Sequence, residues 1–336
     1  MSEQSMKALV YTANKEVTYR DEPQPELNPG EALIKVNLAG ICGSDMHAYL
    51  GHDDRRVPPL ILGHEVVGVV VKGKHPGKRV VINPLITCGM CTSCLSGKQN
   101  LCAKRDIIGM YKAGAFAEFV AIPESNLVYL QDHVSFQQAA LTEPGATALH
   151  AVVLAENNIT RPISELKILV IGGGSVGLLT ALILLDKGAD VDLCEINKLR
   201  KQTLEQHINC DVLNTLDDKP ESSYDIVFDA VGNMHTRNNS IKYAKPGGTI
   251  VHIGLMDSAG ELDIRKITLQ EISFIGCYTY SKTDFIATLE KISSGALGDL
   301  SWADIRPIAQ GSQAFQDLLN GNCSAPKVLL KVGAES

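Results

Sequence analysis

The stretch Ile168–Leu185, ILVIGGGSVGLLTALILL, carries no charge over its whole length. Such a run admits two structures. It can be a membrane-crossing helix, or a buried strand, a tight turn and a buried helix in succession. Three consecutive glycines, Gly172, Gly173 and Gly174, follow a short run of Leu and β-branched residues. Glycine weakens a helix interior, whereas a strand-to-helix turn needs it. The second structure is therefore expected, with a strand over Lys167–Ile171 and a helix over Val176–Asp186.

The surrounding chain has the same texture from about residue 146. Short apolar strands are expected at Asp190–Glu195, Ile226–Ala230, Thr249–Gly254 and Ile272–Gly276, with helical stretches between them. Strands alternating with helices build a doubly wound parallel sheet. In that setting Gly172, Gly174, Ser175, Val176 and Gly177 fit G-x-G-x-x-G. Glycines there let the backbone approach a pyrophosphate, and the helix N-terminus supplies free N–H groups. Glu195 ends the next strand, about 20 residues on, where a carboxylate would accept a ribose 2′-hydroxyl and repel a 2′-phosphate. NAD is thus expected over NADP. Asp192 is the mid-strand rival, and Arg200 is near enough to stack on adenine or meet a phosphate. Val231 and Gly254, near the ends of later strands, complete the candidate cofactor contacts.

The first third reads differently. Short β-type runs at Lys7–Tyr11, Glu31–Ala39, Val66–Val71, Arg79–Ile82 and Ala117–Ala121 are separated by Pro and Gly. That pattern predicts an antiparallel β-rich domain, a barrel by preference. Cys88, Cys91, Cys94 and Cys102 interrupt it as C-x-x-C-x-x-C-x7-C. Neighbouring C-x-x-C pairs are too close for relaxed structural disulfides. Four thiolates suit one tetrahedral zinc, and a closed four-sulfur shell leaves no position for chemistry. A reacting metal would need about three ligands and an open site; Cys42, His64 and an acid would supply that.

Net charge is −7, which argues against nucleic acid and anionic membrane as partners. The opening MSEQSMKALVY has no basic segment followed by an apolar one, so no secretory leader is expected and the cysteines fit a cytoplasmic location.

Taken together, G-I-C-G-S-D-x-H at Gly40–His47, G-H-E at Gly63–Glu65, the four-cysteine loop and the glycine fingerprint resemble the zinc-containing medium-chain alcohol and polyol dehydrogenases. The resemblance runs over essentially the whole chain. It implies an α/β protein: a GroES-like β-rich catalytic domain at 1–145 and 278–336, carrying a structural zinc lobe at 86–103, around a Rossmann domain at 146–277. It implies two zinc ions, one catalytic and one structural, and NAD(H). By motif, Cys42 and His64 would ligate the catalytic zinc, with Glu65 a near or alternating ligand. Glu143, in Glu143-Pro144 followed by His150-Ala151, would be the third ligand of the sorbitol dehydrogenase branch. Asp45 would hold His64 by its other ring nitrogen. Ser44 would take the substrate's proton, and His47 would pass it to water, through the cofactor ribose.

The implied reaction moves a hydride between a secondary alcohol, polyol or sugar acid and NAD. The alternatives are a zinc-independent NAD(P)H reductase of enones or quinones and a threonine dehydrogenase-like activity; a non-enzymatic nucleotide sensor ranks lowest. The chain departs from the sorbitol branch at Ile275–Tyr280, where no Arg stands in place of that branch's F-R-Y. Family practice implies a homodimer or homotetramer, with Thr249–Leu255 as the expected edge.

Overall fold

A computed structural model describes residues 4–333. Residues 1–3 and 334–336, the outermost parts of the expected catalytic segments, lie outside the described residues. The chain divides into two compact units: Met1–Glu143 with Ser281–Asn322 and Lys327–Ser336, and Pro144–Tyr280 with Cys323–Pro326.

The second unit holds six parallel strands in the spatial order Asp211–Leu213, Asp190–Cys194, Lys167–Ile171, Tyr224–Asp229, Ala244–His252 and Ser273–Gly276. Counted from Lys167–Ile171 this order is 3-2-1-4-5-6, the doubly wound arrangement. The chain reverses direction across the sheet between Lys167–Ile171 and Tyr224–Asp229, and the carboxyl ends of strands at such a point form a ligand crevice. The uncharged run resolves into the strand Lys167–Ile171 and the helix Ser175–Asp186. Leu178, Leu179, Ala181, Ile183 and Leu184 of that helix are all fully buried. A helix apolar on every side is a core helix when packed this way. No helix of the described residues is long and apolar enough to cross a membrane.

One expectation is corrected here. Thr249–Leu255 is not a sheet edge, because Ala244–His252 is bonded on both sides. The edges are Asp211–Leu213 and Ser273–Gly276. Asp211–Leu213 was missed because three residues are too few to show a period.

The first unit contains a three-stranded sheet (Glu16–Pro23, Ser5–Ala13, Leu60–Ile61) and a seven-stranded one. The larger runs Leu127–Tyr129, Arg79–Ile82, Glu65–Lys72, Glu31–Gly40, Lys327–Lys331, Ala303–Pro307, with Phe119–Pro123 also paired to Glu31–Gly40. The expected strand at Ala117–Ala121 lies two residues further on. Ala117 instead makes a lone bridge to Ala8. Pairing is antiparallel except between Ala303–Pro307 and Lys327–Lys331. Leu85–Ile86 and Asp106–Ile107 pair as a further two-stranded sheet, so the strands form three sheets rather than one closed ring.

The register of three of these strands matters most. Gly40 stands opposite Glu65 on one side and Leu329 on the other. Val66, Val67, Val70, Ile34 and Leu329, all nearly or fully buried, fill the sheet behind them. Burying a Val, Leu or Ile side chain contributes about 1.5–3 kcal/mol, which holds these strand ends in register against the electrostatic cost of the charges they carry.

Candidate metal centre and cofactor turn

Glu31–Gly40 leads through Ile41 into Cys42, the N-cap of the short helix Gly43–Tyr49. Asp45 reaches back, and its Oδ2 accepts the Cys42 backbone N–H at 2.9 Å. Its Oδ1 faces His64 Nδ1 at 3.6 Å. That is too long for a direct hydrogen bond but short enough for strong attraction between two buried groups. Burial alone would lower the His64 pKa; the Asp45 carboxylate and the Cys42 sulfur outweigh it and hold it well above its ordinary value.

Donor atoms of Cys42, His64 and Glu65 all lie within 4.8 Å of one another. Glu65 comes this close because its register partner has no side chain: a Cβ on Gly40 would sit 1.9 Å from Glu65 Oε2. Three buried atoms at this spot, Asp45 Oδ1, His64 Nδ1 and Glu65 Oε2, have no hydrogen-bond partner. Native interiors rarely leave such groups unpaired. Asp45 Oδ1 and His64 Nδ1 face each other, so the open position is at Glu65 Oε2; one sulfur, one imidazole and one carboxylate form a donor set suited to catalytic zinc. Glu143 lies outside this trio, buried in the first turn of the helix Thr142–Glu156.

The four-cysteine lobe also fits a metal. Cys88 and Cys94 sulfurs are 3.9 Å apart, Cys91 and Cys94 3.5 Å, and Cys88 and Cys102 3.5 Å. A tetrahedron with zinc–sulfur bonds of about 2.3 Å has edges of about 3.8 Å. Backbone N–H groups of Met90 and Cys91 donate to the Cys88 sulfur and lower its pKa to about 6, as a ligating thiolate requires. No disulfide joins these cysteines.

In the second unit the glycine turn is set by close approach. Gly172 has φ +100°, and a Cβ on Gly177 would meet the Gly172 carbonyl oxygen at 1.8 Å. Gly174, the N-cap of Ser175–Asp186, has nothing within 4 Å of its Cβ direction. The first two glycines are needed for the turn itself. The third leaves open space at a helix N-terminus, a cradle suited to phosphate. Glu195 Oε2 accepts the Gly173 N–H at 3.0 Å and the Arg200 guanidinium at 3.1 Å, and Oε1 accepts the Asn197 N–H at 2.7 Å. Arg200 is therefore clamped to Glu195, while its Nε is buried without a partner. Asp192 points elsewhere, to Tyr224 at 2.6 Å and Lys219 at 2.9 Å.

Residues 28–132 match the family model described as alcohol dehydrogenase GroES-like domain, and residues 175–294 match the one described as zinc-binding dehydrogenase. The chain belongs to the zinc-binding medium-chain dehydrogenases. An L-galactonate-5-dehydrogenase of Escherichia coli (strain K12) is 29% identical over 94% of this dehydrogenase and 96% of the relative. Acetophenone reductase from Geotrichum candidum, solved with NAD, superposes with a TM-score of 0.88 at 26% identity, covering 99% of this chain and 98% of that one. A zinc-binding dehydrogenase from Sinorhizobium meliloti, solved with NADP, superposes with a TM-score of 0.85 at 26% identity, covering 98% and 100%.

Three buried charged residues of the dehydrogenase escaped sequence reasoning. Lys327 opens the last strand, and its Nζ donates to Glu65 Oε1 at 2.6 Å and the Ile41 carbonyl at 2.9 Å. Burial would lower its pKa, but Glu65 and Cys42 together raise it. Its only sequence signal is a lysine beginning the apolar run Val328-Leu329-Leu330. Asp229, fully buried, accepts the N–H groups of Val231 at 3.0 Å and Gly232 at 2.8 Å, and so shapes the loop holding Val231. Gly254 packs against that loop: a Cβ there would lie 2.1 Å from the Val231 carbonyl carbon. Arg56, 2% exposed, is the third.

Proposed function

We propose that this oxidoreductase interconverts a secondary hydroxyl of a polyol or sugar acid with the corresponding ketone, using zinc at Cys42 and His64 and NAD(H) at the Gly172–Gly177 turn. The observation that carries this reading is the Cys42–His64–Glu65 cluster, with His64 and Glu65 buried and Glu65 Oε2 unpartnered. Zinc bound there would polarise the substrate oxygen and ease loss of its proton, while the nicotinamide would take the electron pair.

The chain's own residues supply the rest. Asp45 orients His64. Glu143, buried in the first turn of the helix Thr142–Glu156, is the third ligand in this reading and Glu65 the near one. Ser44 and His47 stand three apart on one helix and so share a face. Ser44 accepts the substrate proton and His47 carries it onward. Burial leads the factors that lower the His47 pKa, so the imidazole is neutral and able to accept a proton at neutral pH.

NAD is preferred to NADP in this reading because a carboxylate at Glu195 would accept a ribose 2′-hydroxyl and repel a 2′-phosphate. Gly174→Ala is expected to leave the melting temperature unchanged, since its Cβ meets nothing, yet weaken NADH binding by roughly tenfold, about 1.4 kcal/mol. Fluorescence titration with NADH reads this out directly.

A homodimer or homotetramer built through the free edge of Ser273–Gly276, in a reducing compartment such as the cytoplasm, completes the proposal. A sedimentation mass of one chain would exclude the assembly. The activity is tested by offering L-galactonate, D-arabitol, L-threonine and 2-butanol with NAD and following absorbance at the reduced nicotinamide band. Turnover of a polyol or sugar acid that disappears on chelation supports the reading. Chelator-insensitive reduction of an enone with NADPH, and none of these oxidations, refutes it.

A further inference from the structure

The geometry points to Arg56 as a positioning residue that orients the Ser44 hydroxyl for proton transfer. This rests on the assignment of Ser44 as proton acceptor made above. Arg56 Nη2 lies 3.2 Å from Ser44 Oγ. The guanidinium is not free to wander, because two other contacts anchor it. Its Nε donates to the Gly109 carbonyl at 2.9 Å, and its Nη1 pairs with Asp53 Oδ2 at 2.5 Å. The Arg56 and Asp53 side chains are 1% and 7% exposed. Asp53 is itself fixed, by Arg55 Nε at 2.7 Å and by the Arg56 backbone N–H on its own carbonyl at 3.0 Å.

The chemistry follows from what each group can do. A guanidinium has only donors, whereas a hydroxyl has one proton and two lone pairs. Facing Arg56, the Ser44 oxygen can only accept. One lone pair is thereby occupied, and the hydroxyl proton must be given to something other than Arg56. The remaining lone pair is the one that can receive the substrate's proton. Ser44 is thus held with one lone pair on Arg56, and its other lone pair and its proton are left to face the substrate and the relay, in either direction of the reaction. Without the guanidinium the hydroxyl would lose the contact that orients it. The positive charge also favours an oxygen that gains electron density as its own proton departs. Arg56 does not touch substrate; it acts through Ser44.

The test is a double-mutant cycle on the zinc- and cofactor-loaded enzyme, using whichever of L-galactonate, D-arabitol, L-threonine and 2-butanol the wild type oxidises fastest. Arg56→Gln is expected to lower kcat by roughly 10- to 100-fold, the usual effect of removing an outer partner. KM, zinc content per chain and NADH affinity should stay near wild type. The solvent deuterium isotope effect on kcat should rise as proton transfer becomes limiting. In a Ser44→Ala background the same change should cost nothing further. Arg56→Lys, which keeps the charge beside Asp53, should recover part of the loss, and it serves as the primary variant if Arg56→Gln does not fold. Wild-type kcat in the Arg56 variants, or a double mutant whose loss is the product of the two single losses, overturns the inference about Arg56 alone. A Ser44→Ala enzyme with full kcat overturns the proton relay itself, and the role of Arg56 falls with it.

Discussion

Cys42→Ser is expected to lower kcat by on the order of a thousandfold or more, because several kcal/mol of charge stabilisation vanish at about 1.4 kcal/mol per tenfold. The fold should survive. Cys42 is only partly buried, its backbone N–H contact to Asp45 does not involve the sulfur, and serine is close in size. Metal analysis should then find one zinc per chain where the wild type has two, the remaining ion being held by Cys88, Cys91, Cys94 and Cys102. Full activity with one zinc would show that the Cys42–His64–Glu65 trio is not the reacting centre. Loss of both ions would show that the two sites are not independent.

Lys327→Met is expected to destabilise the first unit by about 3–5 kcal/mol, the usual cost of leaving one member of a buried ion pair uncompensated. Glu65 is fully buried and Lys327 nearly so, with 2.6 Å between their charged atoms. The chain has a single tryptophan, Trp302, which is buried in the same unit. Its fluorescence therefore reports unfolding of that unit in urea without contribution from the other. Adding Glu65→Gln to Lys327→Met should recover much of the loss, since the stranded charge is then gone. A Lys327→Met midpoint equal to wild type would mean that water reaches Glu65.

What was legible in advance follows from the range over which each signal acts. The glycine turn, the four-cysteine lobe and the parallel strands are local: spacing within about twenty residues specifies them. The wound sheet was readable because its strands are fully buried and hence continuously apolar, as Ile168, Leu169 and Val170 show. Cys42, His64 and Glu143 were proposed only through motif resemblance, since a lone Cys or His carries no periodicity, and the structure groups Glu65 rather than Glu143 with Cys42 and His64. Lys327 and Arg56 were opaque for a different reason. Each owes its role to a partner supplied by tertiary contact: Glu65 lies 262 residues from Lys327, and Gly109 lies 53 residues from Arg56. Nothing in a strand-opening lysine or in Asp53-Asp54-Arg55-Arg56 distinguishes an interior charge from a solvated one. The misplaced edge at Thr249–Leu255 has a similar cause, because an apolar strand reads alike whether it has one neighbour or two.

The last strand, Lys327–Lys331, has a consequence for the order in which the enzyme can come into being. It completes the sheet beside Glu31–Gly40, and it places a lysine on a backbone carbonyl 286 residues earlier in the chain. During synthesis the segment bearing Cys42, His64 and Glu65 must therefore wait, with an open sheet edge and an acid lacking its counter-charge, until the chain through Lys327 has emerged. Metal loading at Cys42 should accordingly follow the synthesis of Lys327, whereas the four-cysteine lobe, whose ligands span one short loop, can capture its ion early. Ribosome-stalled chains ending before Lys327 are expected to hold one zinc ion, and released full-length chains two.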